Sequence, residues 1–241
     1  MKKSGVNPKD MSQAELKEML ANAVHFGHQT QKWNPRMRRY LYGVRDGIHI
    51  FDLQKTFENL QGALNFIQKT VQEGKTVLFV STKQQAASVL ENTAKKCKMP
   101  YVTHKWIGGL LTNFSTVKKR IKHYMDLESK AASGDLEKYT KKEISQFRKE
   151  LEKLAIAFSG LKDMNKRPDA LFVVDCVRDN IAVKEAKKLN IPIISITDSN
   201  ANPDEIDFPI PGNDDAVKSL KYFLTKVEDA ILNAQNKPSK A

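Results

Sequence analysis

An α/β fold is what this sequence predicts: a parallel sheet with helices on both faces, interrupted by an inserted pair of helices. Two patterns carry the prediction. Short apolar runs at 76–80 (TVLFV), 170–175 (ALFVVD) and 193–197 (IISIT) are separated by helical stretches, the arrangement of βαβ units. Between residues 110 and 161 the period changes. Leu110, Phe114, Val117, Ile121 and Tyr124 on one arm, and Ile144, Phe147, Leu151, Leu154, Phe158 and Leu161 on the other, advance in steps of three and four. That spacing places one apolar stripe on each helix, so the two zip together as an antiparallel pair about the turn Ala132-Ser133-Gly134-Asp135.

The elements follow in order. Ser12-Gln13-Ala14-Glu15 is a capping-box pattern that opens a helix to about residue 23. A polar, basic loop follows through residues 25–39, and the apolar run 48–51 leads to a helix over 53–72. Strand 76–80 precedes a helix over 84–97, and Tyr101-Val102 makes a short strand before the hairpin. Beyond the hairpin come strand 170–175, a helix over 181–189 and strand 193–197. A loop rich in Asp, Asn and Pro then leads to a final amphipathic helix over 214–234. The expected organisation is an N-terminal helix and basic loop (1–45), an α/β domain in two parts (46–109 and 162–235), the inserted hairpin (110–161) and a flexible tail (236–241).

With 241 residues, 40% hydrophobic and 28% charged, the chain can bury an α/β core and still carry an appendage. Its net charge of +12 calls for an anionic partner, nucleic acid before membrane surface. The charge is focused. Residues 1–45 hold nine basic and three acidic side chains and residues 105–169 fifteen and nine, whereas 170–235 hold seven and eleven. A surplus carried for solubility would be spread evenly, so a nucleic-acid surface is expected. No stretch approaches the length of a membrane span, and Lys2-Lys3 is not followed by an apolar signal core, which points to the cytoplasm. Cys97 and Cys176 stand apart without CxxC spacing and read as reduced residues.

Lys32, Arg36, Arg38 and Arg39 surround Trp33 in the basic loop. Cations of this kind neutralise phosphates and an exposed indole stacks on a splayed base, against the plainer reading of a core tryptophan and solvated arginines. In 104–113 (HKWIGGLLTN), Lys105 and Trp106 precede a Gly pair just ahead of a helix. The glycines form a hinge, and free N–H groups at the helix start could in addition meet phosphate. Lys118, Lys119, Arg120 and Lys122 cover one helical turn opposite the apolar stripe and are expected to contact phosphate. Lys166 and Arg167 are weaker candidates. The crevice beyond the strand ends should hold Thr82, Lys83, Asp175, Asp198, Ser199 and Asn200. There is no GxGxxG and no P-loop, so the phosphate cradle of a dinucleotide or NTP site is missing. The competing enzyme class is a magnesium-dependent phosphotransferase using Asp175 and Asp198. His25 and His28, with Asp198 and Asp214 as neighbours, would suit zinc; the alternative is ordinary hydrogen-bonded histidines.

Five segments in order, VHFGHQ (24–29), WNPRM (33–37), HKWIGGLLTNF (104–114), PDALFVVD (168–175) and DFPIPGNDDA (207–216), resemble the bacterial small-subunit ribosomal protein S-two family. Order and spacing agree over about residues 11–235. The resemblance implies a flavodoxin-like parallel sheet with helices on both faces and an inserted α-helical coiled-coil hairpin. It implies a structural, non-enzymatic constituent of the small ribosomal subunit, located in the cytoplasm within the ribosome. Expected partners are small-subunit ribosomal RNA at the head–body junction and neighbouring proteins. Among these is ribosomal protein S-one, whose docking supports messenger RNA binding in translation. No membrane partner, homo-oligomer or cofactor is expected, zinc being the one metal left open. By position, residues 25–39 and 105–113 fall in the motif segments, where contacts to RNA or neighbouring proteins are expected.

Overall fold

The computed structural model describes residues 11–133 and 138–236. It opens with α1 (Gln13–Ala21), in which Ser12 and Glu15 close the capping box that their spacing announces. Residues 25–39 are more ordered than the loop expected. β1 (Phe26–Gln29) is followed by two short 3-10 turns, and joins β2 (Leu41–Arg45) and β3 (Ile48–Phe51) in a small antiparallel sheet of order β1-β3-β2. The pairings are irregular, and strands this short and bulged leave little period-two signal in the sequence. From Asp52, which caps Gln54, α2 (Leu53–Gln72) runs over the range expected.

The rest of the chain builds the main domain: β4 (Val77–Val80), α3 (Gln84–Lys96), β5 (Tyr101–Val102), α4 (Phe114–Ala132), α5 (Lys141–Phe158), β6 (Ala170–Val174), α6 (Asn180–Lys188), β7 (Ile193–Thr197), β8 (Phe208–Pro211) and α7 (Val217–Gln235). Its five strands are all parallel, in the order β5-β4-β6-β7-β8. Counted within the sheet, that order is 2-1-3-4-5, a doubly wound arrangement. Side chains alternate across the sheet. Val77, Phe79, Phe172, Ile194 and Ile196 join one core with α2, α3 and α7. Leu78, Val80, Leu171, Val173 and Ile193 join the other, with α6 and the base of the hairpin.

β8 lies inside the segment expected to be a loop, and its sequence, FPIP, explains why it was hidden. Gly212 N–H donates to Thr197 O at 3.1 Å, so the even-numbered N–H groups of this strand point toward β7. Pro209 and Pro211 therefore stand where the missing donor would face outward from the sheet, the placement that an edge strand tolerates.

Between β5 and β6 the two charged helices appear as expected. Phe114, Val117, Ile121, Tyr124 and Leu127 are the buried side of α4. Leu151, Leu154, Ala155 and Phe158 of α5 pack into the same cluster, each well-buried apolar side chain contributing roughly 1.5–3 kcal/mol. Farther out, Phe147 is half-buried and meets Tyr139 edge-on at 5.2 Å. His123 Nε2 lies 3.1 Å from Glu150 Oε1, and Lys162 Nζ 2.7 Å from Glu128, linking the two arms and the hairpin exit. Gly134 and Asp135 of the expected turn, and residues 237–241 of the expected tail, lie outside the described residues.

Candidate nucleic-acid interface

Parallel strands deliver their following residues to one end of the sheet. There Lys83 is 5% exposed, yet its Nζ lies 2.6 Å from Asp214 Oδ1, 2.6 Å from Asp215 Oδ1 and 3.4 Å from Asp175 Oδ2. Burial alone would lower the pKa of this amine; the three carboxylates overcome that and hold it above the ordinary lysine value. Burial and the Asp198 and Asp175 charges push Asp214 upward, against the pull of Lys83. Asp215 is desolvated too, but Lys83 and His28 bring it below the usual carboxylate range. An open α/β sheet takes ligands in this crevice. Here an internal ammonium group occupies it.

The histidine cluster forms in part. His28 Nδ1 lies 2.9 Å from Asp198 Oδ1 and Nε2 3.4 Å from Asp215 Oδ2, and the Asp198 carboxylate holds the imidazole above its ordinary pKa. Ligand atoms of His28, Asp198, Asp214 and Asp215 all fall within 4.8 Å of one another. That donor set fits a divalent cation, with Lys83 as the resident competitor for two of its carboxylates. His25 does not belong to it: its ring packs on Phe26 at 4.1 Å, and burial lowers its pKa. Asp215 takes the place that sequence spacing gave to His25. Asp198 also accepts from Ser199 Oγ at 3.0 Å and from the Asp214 N–H at 3.3 Å, so it ties down its own loop.

The basic loop folds over this crevice. Asn34 N–H donates to Ser199 O at 2.7 Å and His28 N–H to Ser199 Oγ at 2.8 Å. Trp33 is half-buried with its ring 4.9 Å from that of His49, so only part of the indole is open to a base. Lys32, Arg36, Arg38 and Arg39 are exposed. Asp204 engages Arg39 Nη2 at 2.6 Å and Arg36 Nε at 3.6 Å. Lys32 and Arg38 have no ion-pair partner among the described residues.

Trp106 lies in a segment expected to contact RNA or a neighbouring protein. It is 7% exposed, and its Nε1 donates to Glu185 Oε1 at 3.0 Å, so it cannot stack on a base. The same carboxylate accepts from the N–H groups of Gly109 (2.7 Å), Leu111 (3.0 Å) and Thr112 (3.1 Å), and from the Thr112 hydroxyl at 3.1 Å. Gly109, at φ +88°, makes the turn that aims these donors inward. Backbone N–H groups of this turn, which beside a hinge role were open to phosphate, are thus taken by an internal anion. Burial would raise the pKa of Glu185; the Trp106 indole and the three N–H groups bring it below the usual value instead. Sequence reasoning missed this residue, although a charge inside the apolar stripe Ala182, Val183 and Ala186 was the available signal.

On the hairpin, Lys118, Lys119, Arg120 and Lys122 are exposed beside the buried stripe of α4, and so is Lys105 ahead of it. Lys118 Nζ donates to Asn165 O at 2.9 Å. Lys105, Lys119, Arg120 and Lys122 have no ion-pair partner among the described residues. Lys166 reaches Asp169 at 3.2 Å, while Arg167 is exposed and unpaired among the described residues.

A doubly wound sheet whose crevice is filled by its own lysine, with exposed cations on the basic loop and the helical arm, defines a cationic α/β protein. Residues 19–234 match the family described as Ribosomal protein S2. The small ribosomal subunit protein uS2 of Geotalea uraniireducens is 49% identical over 222 residues, covering 92% of this chain and 87% of that protein. The uS2 proteins of Francisella philomiragia and Dictyoglomus thermophilum are each 48% identical, over 91% and 94% of this chain and 92% of their own lengths. The chain belongs to the ribosomal protein S2 family. That is a family of ribosomal proteins, and the relatives named above are proteins of the small ribosomal subunit.

Proposed function

We propose that this protein is a structural constituent of the small ribosomal subunit that binds small-subunit ribosomal RNA at the junction of head and body. On this reading it also supports docking of ribosomal protein S-one, and through it messenger RNA binding. The observation that carries the RNA reading is the row of exposed cations Lys105, Lys119, Arg120 and Lys122, unpaired among the described residues, beside a stripe that is fully committed to packing. Unpaired surface cations neutralise phosphates without first breaking an internal ion pair. On this reading the two arms pair as a coiled coil with that charge gathered at its base, and Lys32 and Arg38 supply a second patch.

Sedimentation of a lysate at low and moderately high salt tests this. The chain is expected to co-migrate with the small subunit at low salt, and log affinity to fall with log salt at a slope near −4 to −5 if about six phosphates are neutralised. Replacing Lys118, Lys119 and Arg120 together by Ala should weaken association without unfolding the domain. Migration as a free protein under both conditions would overturn the reading.

A second reading concerns metal. The mutual approach of His28, Asp198, Asp214 and Asp215 favours a zinc ion held beside Lys83. Stoichiometric zinc in the purified protein, lost in His28→Ala, is the expected result; zinc content unchanged by that substitution would remove this site.

A further inference from the structure

At the base of the hairpin a cleft of about 690 Å³ opens between α4, α5 and the turn that carries Trp106. Its rim is cationic on balance: Lys105, Arg120 and Lys153 border it, none with an ion-pair partner among the described residues, beside a Glu150 carboxylate already engaged by His123 at 3.1 Å. Its floor is apolar, formed by Ile107, Leu154 and Ala157, all half-buried at the edge of the core. We infer that this cleft receives one unpaired nucleotide of the bound RNA, its base on the apolar floor and its flanking phosphates on the basic rim.

Three observations converge on that occupant. Clefts of this size suit a small-molecule-sized group, and a base with its ribose is one. An apolar floor inside a cationic rim matches the two faces of a nucleotide, a ring to stack and a charge to neutralise. The third is Gly108, on the lip of the cleft. Unlike Gly109 it has no left-handed φ, and a Cβ built on it would meet nothing within 4 Å. Neither the backbone nor the packing of the free protein requires glycine there. Glycine at this lip leaves the way open for a ligand that a side chain would obstruct.

The inference rests on the RNA reading above and adds a place and a mode to it. Because Gly108 is unconstrained, Gly108→Val separates folding from occupancy. The variant should unfold at the same urea concentration as the parent, yet bind small subunits lacking this protein roughly ten- to a hundredfold more weakly, the range for losing one stacked base. Arg120→Ala with Lys153→Ala should weaken binding and flatten the salt slope. Photo-crosslinking of assembled subunits should join a nucleotide to the peptide carrying Ile107 or to that carrying Leu154. If the parent chain binds but Gly108→Val binds equally well, the cleft proposal fails while the RNA reading stands. If the parent does not bind at all, the RNA reading itself fails. Crosslinks from these peptides to a protein segment instead of a nucleotide would overturn the inference in favour of an acidic peptide.

Discussion

Removing the Glu185 carboxylate should unfasten the turn from which the hairpin springs. In Glu185→Ala four N–H donors lose their acceptor: the Trp106 indole and the backbone of Gly109, Leu111 and Thr112. Trp106 and Leu111 are buried, whereas Gly109 and Thr112 are half-buried and can recruit water. Charging about 1–3 kcal/mol for each of the two buried donors, and little for the others, gives a loss of about 2–6 kcal/mol. Glu185→Gln keeps one acceptor oxygen but turns an amide toward donors, so it should cost about half as much. Urea titration followed by circular dichroism measures both, with the slope unchanged if the unfolded state is unaffected. Acid adds an independent check. The folded pKa lies below the unfolded value of about 4.3, so the contribution is complete above that value and is lost as pH falls through the folded pKa. The parent should therefore lose its advantage over Glu185→Gln below about pH 4. A loss under about 1 kcal/mol for Glu185→Ala, or a difference from Glu185→Gln that ignores acid, would refute the account.

Lys83→Met should cost about 3–5 kcal/mol, since it strands the buried Asp214 carboxylate, and the partly buried Asp175 beside it, without their cation. Those carboxylates then titrate higher in the folded state, so the variant should be more stable near pH 5 than near pH 8; equal deficits at both values would argue against the ion-pair cluster. Burial pushes the thiols of Cys97 and Cys176 up to about 12, so neither should react with a thiol reagent at neutral pH until urea is added. Rapid labelling of the native protein would contradict their placement in the core.

The main sheet was legible because buried parallel strands are continuous apolar runs, and β4, β6 and β7 are that. α2 was legible to the residue, since Asp52 caps it and its apolar positions repeat without interruption. β8 was not, because two prolines mimic a loop when the partner strand is unknown. The small sheet was not, because its bulges erase alternation. At the crevice, the sequence placed Thr82, Lys83, Asp175 and Asp198 together because each follows the end of a parallel strand, but only the fold shows that Lys83 is shared among three aspartates. Trp106 and Trp33 look alike in sequence, each aromatic beside a cation. What separates them is Glu185, 79 positions from Trp106, and no local pattern reports a partner that distant.

Pro209 and Pro211 have a further effect at the margin of β8. A growing β-assembly adds chains by matching donor to acceptor along an open border. This border lacks a donor at both prolines, and the opposite border, β5, is two residues long. Neither margin of the main sheet can serve as a template for a second copy. A strongly cationic chain is thereby guarded against polymerising through that sheet while it is free in solution.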